Sequence, residues 1–573
     1  MGRQLLVAVV VSLLCVALAA DAAVVERIFH VKNLTISRLC ERRVITAVNG
    51  SIPGPTLKVF EGDTVVVHVI NDSPYNITIH WHGIFQKRSA WADGPNMITQ
   101  CPIRPGNKYV YKFNVTEQEG TLWWHAHVSY LRATVYGALV IRPRHARSYP
   151  FPKPYREVPI LLGEWWNGNV VDVEKQAFLS GGSLSNISDA FTINGSPGHL
   201  YKCSKNHAYE LEVVAGETYL LRIINAAVNN QLFFKIAGHN FTVVAVDASY
   251  TNPYQTDVVV IAPGQTVDAL ITADAPPSSY YMAARAYASA GLYGPPFDNT
   301  TTTAILRYAN SGGRSLPASM PSMPAFDDTP TAHRFYTNLT GLLRPETPAV
   351  PLHVDERMFV TFGLGVGACE PSQVLCNRSR GAVTASMNNV SFQFPTSISL
   401  LEAHYKGLDD GVYTSDFPDD PPVMFDFTNA KLNTDPALTA LLSAQKGTRL
   451  KKVKYGATVE MVLQNTAMIG AENHPLHLHG FNFFVLAQGF GNYNATAATG
   501  GYNLVDPQVR NTIAVPLRGW AVIRFVANNP GVWIMHCHLE QHLPLGLAMA
   551  FEVEDGTTPE SVLPPPPSDF PTC

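Results

Sequence analysis

The chain has 573 residues, too many for a single hydrophobic core, and this length fits three domains of about 150 to 200 residues. Charged residues make up only 15%, the net charge is -4 and the pI is near 6.5, which argues against binding to nucleic acid or to an anionic membrane. Glycine and proline together number 83 (41 and 42), and short runs rich in Val, Thr, Tyr and Phe recur between turn residues. These features predict an all-β protein.

The first 23 residues have the pattern of a secretory signal peptide. Arg3 precedes an apolar run that starts at Leu5, and small residues follow near Ala22. A membrane anchor is the alternative, but the run is shorter than the roughly 20 residues that a span needs. The sequence therefore predicts secretion, with residues 1–23 removed.

Sequons agree with a secreted protein. Eleven Asn-X-Ser/Thr tripeptides without a following proline are candidate glycosylation sites. They are at Asn33, Asn49, Asn76, Asn114, Asn186, Asn240, Asn299, Asn338, Asn377, Asn389 and Asn494.

Cysteine usage fits the same compartment. Cys15 lies in the signal and Cys537 in a metal-type motif, which leaves six cysteines that permit many alternative pairings. The six are Cys40, Cys101, Cys203, Cys369, Cys376 and Cys573. Cys369 and Cys376 are close enough for a local bridge. Disulfides are expected in a secreted protein, whereas six free thiols would suit the cytosol.

Strand-and-turn segments divide the mature chain into three units. The first unit, residues 24–145, contains alternating runs such as Thr64 to Ile70. The second unit, residues 157–310, has the same pattern of strand-type runs and turns but no His-X-His pair. A low-complexity stretch, residues 311–330, is predicted to be a linker, and the third unit is residues 331–573. Tandem Greek-key β-sandwiches are the expected outcome.

Four His-X-His pairs stand out, because random placement of 19 histidines in this chain would give about 0.6 such pairs. The pairs are His80 with His82, His125 with His127, His477 with His479, and His536 with His538. Residues two apart on a strand share a face, so each pair can bind one metal ion or reach two neighbouring ions. Imidazole suits copper, zinc, iron and nickel, and a tetrahedral zinc site would leave most of these ligands unused.

The stretch WIMHCHLEQHLPLGL, from Trp533 to Leu547, selects copper. On a β-strand, His536 and His538 point to one face and Cys537 to the other, so one strand can serve two metal centres. A cysteine thiolate with two imidazoles is the ligand set of a blue-copper electron-transfer site. The candidate imidazoles are those of His542, five residues after the cysteine, and His474 in ENHPLHLHGF.

The motifs HWHG, WHAH, HPLHLHG and HCHLEQH, the last followed by LPLGL, resemble those of the multicopper oxidases in identity and order, and most of all those of plant laccases. The resemblance spans the whole mature chain. It implies three cupredoxin-like domains and four copper ions, with a mononuclear blue copper in the third domain and a trinuclear cluster between the first and third.

Carried over position by position, the resemblance also implies the ligands and two disulfides. The implied ligands are His474, Cys537 and His542 for the type 1 copper; His80 and His477 for type 2; and, for the type 3 pair, His82, His125 and His538 on one ion and His127, His479 and His536 on the other. The implied disulfides are Cys40 with Cys203 and Cys101 with Cys573.

The activity that the resemblance implies is that of a laccase, in the apoplast or cell wall and as a monomer. Four one-electron oxidations of phenols, among them monolignols and related lignin phenols, would be coupled to reduction of O2 to two waters. An ascorbate oxidase, a metal-ion oxidase and a copper-free structural cell-wall protein are the alternatives.

Leu547 stands where the ascorbate-oxidase branch carries methionine, and the loss of an axial sulfur favours phenols because it raises the copper potential. Met549 is the other candidate axial residue.

Several polar residues are candidates for roles beside the copper ions. Asp93, in WADGP, and Glu540 are candidates for delivering the protons that water formation consumes. The alternatives are that Asp93 begins a tight turn and that Glu540 orients a ligand histidine. A phenol is expected at the edge of His542 or His474, with its hydroxyl hydrogen-bonded to the loop residues Glu472 and Asn252.

Overall fold

The computed structural model describes residues 22–144, 147–182, 187–204, 208–290, 294–309, 319–408, 410–424, 426–429, 434–435 and 442–573. The predicted signal up to residue 21, the sequon at Asn186 and part of the predicted linker lie outside the described residues. None of the helices that the structure describes is long and apolar enough to cross a bilayer.

The first unit is a sandwich of two four-stranded sheets, ordered β2-β1-β4-β6 and β3-β8-β7-β5. Its strands are β1 (Val24–Arg38), β2 (Glu41–Val48), β3 (Leu57–Phe60), β4 (Thr64–Asn71), β5 (Ile79–His82), β6 (Lys108–Asn114), β7 (Gly120–Ala126) and β8 (Tyr136–Arg142). Along β4, Val65, Val67 and Val69 are buried while their neighbours are partly exposed, as a half-buried strand requires. These valines belong to the core between the two sheets.

The second unit pairs a six-stranded sheet, β10-β9-β12-β17-β14-β15, with a five-stranded sheet, β11-β19-β18-β13-β16. Its elements are β9 (Arg156–Trp165), α1 (Val170–Leu179), β10 (Ala190–Ile193), β11 (Glu210–Val213), β12 (Thr218–Asn225), β13 (Gln231–Ile236), β14 (Phe241–Val246), β15 (Ser249–Thr256), β16 (Val259–Ile261), β17 (Thr266–Thr272), β18 (Ser279–Tyr287) and β19 (Thr301–Tyr308).

The third unit pairs an eight-stranded sheet, β23-β22-β21-β20-β25-β30-β27-β28, with a five-stranded sheet, β24-β32-β31-β26-β29. Its strands are β20 (Glu356–Gly367), β21 (Ala382–Met387), β22 (Val390–Phe392), β23 (Gln445–Gly447), β24 (Leu450–Val453), β25 (Thr458–Asn465), β26 (His474–Leu478), β27 (Phe483–Phe490), β28 (Val509–Arg510), β29 (Thr512–Val515), β30 (Gly519–Val526), β31 (Gly531–Cys537) and β32 (Ala548–Val553). The helices are α2 (Thr329–Thr337), α3 (Leu400–Lys406) and α4 (Ala495–Ala498). The predicted linker therefore ends inside α2.

The three units repeat one topology. The first strand of each unit, β1, β9 or β20, pairs in parallel with β4, β12 or β25, respectively. In the opposite sheet, β3, β11 and β24 pair in parallel with β8, β19 and β32. By this correspondence, β5 and β7 of the first unit match β13 and β18 of the second, and β26 and β31 of the third. All four His-X-His pairs begin on these strands of the first and third units.

The six remaining cysteines form three disulfides, Cys40–Cys203, Cys101–Cys573 and Cys369–Cys376, which is the pairing expected from the sequence. Cys537 is the free cysteine of the described chain and is buried. The ten described sequon asparagines are exposed except Asn389, which is half-buried in the turn between β21 and β22.

Candidate metal centres

The four His-X-His pairs meet where the first unit contacts the third. His80 lies opposite His125 in the pairing of β5 with β7, and His477 lies opposite His536 in the pairing of β26 with β31. We call these eight residues the histidine cluster. Its members form three groups whose donor atoms lie within 4.8 Å of one another: His80, His82 and His477; His82, His125 and His538; and His127, His479 and His536.

Ring nitrogens from different histidines of the cluster face each other at short distances. Nε2 of His536 lies 3.2 Å from Nε2 of His479 and 3.3 Å from Nε2 of His127. Nε2 of His538 lies 3.2 Å from Nδ1 of His82. These distances allow N–H···N hydrogen bonds, and they also bring the ring nitrogens close enough to share a metal ion.

The second nitrogen of most of these rings is already engaged. A backbone carbonyl accepts a hydrogen bond from Nδ1 in four of them: His80 to Asp93, His125 to Ala126, His477 to Asn511 and His536 to Cys537, at 2.8 to 2.9 Å. This fixes the tautomer and leaves Nε2 as the free lone pair, as in metal-binding histidines. Nε2 of His80, His125 and His477 is buried and has no hydrogen-bond partner among the described residues.

Electrostatics agree with metal binding, because burial favours the neutral form of several rings in the cluster. Burial, reinforced by neighbouring imidazoles, lowers the pKa of His82, His477 and His479 well below its usual value. Burial likewise lowers the pKa of His536 to about 3. Neutral imidazole is the form that binds a metal ion.

A second centre, the cysteine site, is formed by Cys537, His474 and His542. Sγ of Cys537 lies 3.5 Å from Nδ1 of each histidine, and all three residues are buried. Burial raises the pKa of the Cys537 thiol. One thiolate and two imidazoles match the donor set of a blue-copper centre, so the residues fit copper.

Leu547 lies beside the cysteine site. Its carbonyl accepts a hydrogen bond from the amide of Cys537 (3.0 Å), and its own amide donates to the carbonyl of His542 (3.1 Å). Met549 instead lies opposite Met535 in the pairing of β31 with β32. The backbone of Leu547 is thus hydrogen-bonded to two residues of the cysteine site, Cys537 and His542.

Asp93 holds two rings of the histidine cluster. Its Oδ2 accepts a hydrogen bond from Nδ1 of His479 (2.9 Å), and its Oδ1 lies 3.3 Å from Nδ1 of His80. The side chain is fully buried, and Oδ1 has no hydrogen-bond partner among the described residues. A Cβ on Gly94 would lie 1.9 Å from the carbonyl oxygen of Ile79, and φ there is +98°, so only glycine allows this approach.

Glu540 reaches the cluster through Arg132, a buried residue that the sequence did not point to. Nη1 of Arg132 lies 2.8 Å from Oε2 of Glu540 and donates to Nδ1 of His538 at 2.9 Å. Nη2 donates to the carbonyls of Val228 and His538, both at 2.9 Å. Arg132 therefore joins all three units at the loop after Cys537. Breaking such a buried ion pair typically costs about 3–5 kcal/mol.

Trp123 and the second unit close one side of the cluster. The ring of Trp123 lies 4.3 Å from that of His125 and 5.3 Å from that of His82, centroid to centroid. Its Nε1 donates to the carbonyl of Gly264. A Cβ on Gly264 would meet the ring of His538 at 3.0 Å, so the second unit approaches the cluster too closely for a larger residue.

A cavity of about 680 Å³ opens between the second and third units at the edge of His542. Its wall includes Glu472, Asn229, Phe178 and Tyr287. Oε1 of Glu472 lies 3.2 Å from Nε2 of His542. The size and mixed lining suit a small aromatic ligand.

Two predicted substrate residues lie elsewhere. His474 is fully buried and, unlike its neighbour Asn473 and unlike His542, does not line the cavity. The side-chain amide of Asn252 donates to Thr340 Oγ1 at 2.8 Å and to the Gly341 carbonyl at 3.2 Å, where the second unit meets the chain entering the third. Neither residue lines this cavity, and the expectation that they contact the substrate stays a prediction.

Comparisons with known proteins agree with this geometry. Three family models, each described as multicopper oxidase, match residues 30–146, 156–311 and 416–557. Laccase-7 of Arabidopsis thaliana is 58% identical over 577 residues, covering 100% of both chains, and Laccase-14 of Oryza sativa subsp. japonica is 59% identical over 587 residues, covering 100% of this chain and 99% of the relative. The chain belongs to the multicopper oxidase family, among the plant laccases.

Solved multicopper oxidases share the fold. The laccase from Botrytis aclada superposes with a TM-score of 0.71 at 26% identity, covering 95% of this chain and 89% of that one. Fet3p, a multicopper oxidase that functions in iron import, gives a TM-score of 0.71 at 24% identity, with 93% and 90% covered. The prediction of three cupredoxin-like sandwiches is confirmed. The protein is an enzyme with laccase-type multicopper oxidase activity, and it binds copper.

Replacing Arg132 with methionine is expected to weaken copper retention by roughly 10- to 100-fold, because Glu540 becomes an unpaired buried charge and His538 loses its hydrogen bond. Copper per chain after dialysis against a competing chelator measures the effect. Arg156→Met, at an exposed position of the second unit, is the control. Equal retention in both variants would contradict the role of Arg132.

Proposed function

We propose that this multicopper oxidase is a secreted, monomeric laccase with four copper ions, which couples the one-electron oxidation of four phenols to the reduction of O2 to two waters. Type 1 copper is assigned to the cysteine site. Type 2 is assigned to His80 and His477, and the type 3 pair to the other six members of the histidine cluster. The sequence features of a signal peptide and of exposed sequons support secretion.

The observation that carries the proposal is the position of Cys537 between the two centres. Its Sγ faces His474 and His542, while its neighbours His536 and His538 point into the histidine cluster. When bound, copper supplies one-electron redox chemistry: it accepts electrons at the cysteine site and reduces dioxygen at the cluster. The chain offers a covalent path of one residue between the two.

The cavity determines which molecule donates the electron. A phenol bound there would lie against the edge of His542, the ligand of the cysteine site that faces the cavity. Glu472 is placed to accept the phenolic proton as the electron leaves, which yields a neutral phenoxyl radical. Nδ2 of Asn229 is a buried donor without a partner among the described residues. It can donate a hydrogen bond to a second oxygen substituent of the phenol, such as the methoxy oxygen of a monolignol.

Protons are needed at the other centre, where each O2 consumes four of them. Asp93 is the carboxylate that touches two cluster rings, so it is the proposed proton donor. Glu540 is held by Arg132 instead, which favours the role of orienting His538 through the guanidinium.

The proposed function is tested by purifying the copper-loaded protein and measuring its colour and its O2 uptake with a methoxyphenol, with ascorbate and with ferrous ion. An intense blue colour and fastest turnover of the methoxyphenol are expected. A colourless loaded protein would refute the blue-copper assignment. Faster uptake with ascorbate or ferrous ion would instead identify an ascorbate oxidase or a metal-ion oxidase of the same family.

Replacing Asp93 with asparagine removes the charge but keeps an oxygen that can accept from His479. The O2 reoxidation of the reduced enzyme is expected to slow by about 10²-fold, because general acid catalysis is lost. Anaerobic reduction of the blue site by phenol should keep its rate. Stopped-flow absorption measures both half-reactions, with the exposed Asp72→Asn as control. Normal reoxidation would show that Asp93 does not supply protons.

Replacing Glu472 with glutamine removes the proposed acceptor of the phenolic proton. We expect kcat/KM for a methoxyphenol to fall about 10²-fold, while ferrocyanide, which has no proton to lose, is oxidised normally. Glu370→Gln is the matched control, since Glu370 lines the same cavity but pairs with Lys446. If both reductants slow equally, Glu472 acts on the blue site and not on the phenol.

A further inference from the structure

The end of the chain returns from the third unit to the first. We call residues 554–573, which follow β32, the C-terminal tail, and residues 88–101 of the first unit the Trp91 segment. A disulfide joins Cys573 to Cys101, the last residue of that segment. Two carbonyls of the tail accept hydrogen bonds from the segment: that of Pro559 from Arg88 Nη1 (2.6 Å) and that of Pro564 from Trp91 Nε1 (2.8 Å).

Trp91 is where the tail packs most closely. Its ring lies 4.9 Å from that of Phe570 in the tail, at an interplanar angle of 80°, and 5.5 Å from that of Tyr405 in α3. The carbonyl of Trp91 accepts a hydrogen bond from Tyr109 Oη at 3.1 Å. The indole is only 4% exposed. Edge-to-face contacts of this kind fix a ring in one orientation.

Trp91 is two residues from Asp93, and the link between them is stiff. Ala90–Ala92 forms one turn of 3-10 helix, which the amide of Asp93 closes by donating to the Ala90 carbonyl at 3.1 Å. Beyond it, Gly94 packs against the backbone of Ile79. One hydrogen-bonded turn therefore separates the Trp91 ring from the carboxylate of Asp93, which contacts His80 and His479.

We propose that the C-terminal tail is a positioning element of the dioxygen-reducing centre: Phe570 and the Pro564 carbonyl seat Trp91, and Trp91 keeps Asp93 on His80 and His479. Trp91 and Phe570 are positioning residues and do not touch the reacting atoms. The cavity at His542 is built by other parts of the chain, so the tail acts on one half-reaction only. The inference rests on the proposed function, because it requires that dioxygen react at the histidine cluster.

The test compares Phe570→Ala with Val562→Ala, an exposed residue of the same tail. In the copper-loaded enzyme, Phe570→Ala is expected to slow reoxidation by O2 about tenfold and to leave anaerobic reduction by phenol unchanged, because the contact supports a ligand-orienting carboxylate. In the metal-free protein, hydrogen exchange at residues 88–98 should accelerate in Phe570→Ala and stay unchanged in Val562→Ala.

Each outcome decides the matter. Selective loss of reoxidation together with faster exchange in the Trp91 segment supports the inference. Wild-type reoxidation in Phe570→Ala, or an equal loss of both half-reactions, overturns it, since a role in stability alone would slow both. Trp91→Phe keeps an aromatic ring but removes the indole N–H that donates to the Pro564 carbonyl. This variant should show a smaller loss in the same half-reaction. A wild-type protein that does not reoxidise with O2 would refute the proposed function itself and not the role of the tail.

Discussion

The alternation of side chains along β31 is the constraint on which the whole arrangement depends. Because successive residues of a strand face opposite sides, Cys537 can join His474 and His542 while His536 turns into the histidine cluster. The strand is buried along its full length, so it cannot move to relieve one site at the expense of the other. The two centres are therefore held at a fixed separation by the covalent geometry of one strand end.

The three units share a topology but divide the chemistry unequally. The first and third units carry histidines on corresponding strands, and the cluster forms where those strands face each other. The corresponding strands of the second unit, β13 and β18, contain no histidine. It contributes close packing at Gly264, the loop at Val228 that contacts Arg132, and one wall of the cavity. The second unit thus contributes packing and a cavity wall, while the metal-type ligands come from the first and third units.

The sequence identified the residues whose spacing is local. His-X-His pairs and the His-Cys-His motif follow from strand periodicity, and the structure brings all nine of these residues, together with His474 and His542, into two buried sites. Contacts between distant segments could not be read in the same way. Arg132 lies in a short 3-10 helix whose sequence shows no metal-type motif. Its role depends on the ion pair with Glu540, which is 408 positions away in the third unit. The position of Asn252, bonded to Thr340 and Gly341, was likewise not predictable, since the sequence does not show which surface such a residue faces.

The disulfide between Cys101 and Cys573 gives the molecule the connectivity of a ring, because 472 positions separate its two cysteines. Every stretch that joins one unit to the next lies inside this ring. A protease that cut a single inter-unit stretch would leave one covalently continuous molecule, and fragments would separate only after the disulfides that join them were reduced. A single cut of this kind therefore leaves both halves of the histidine cluster on one covalently joined molecule.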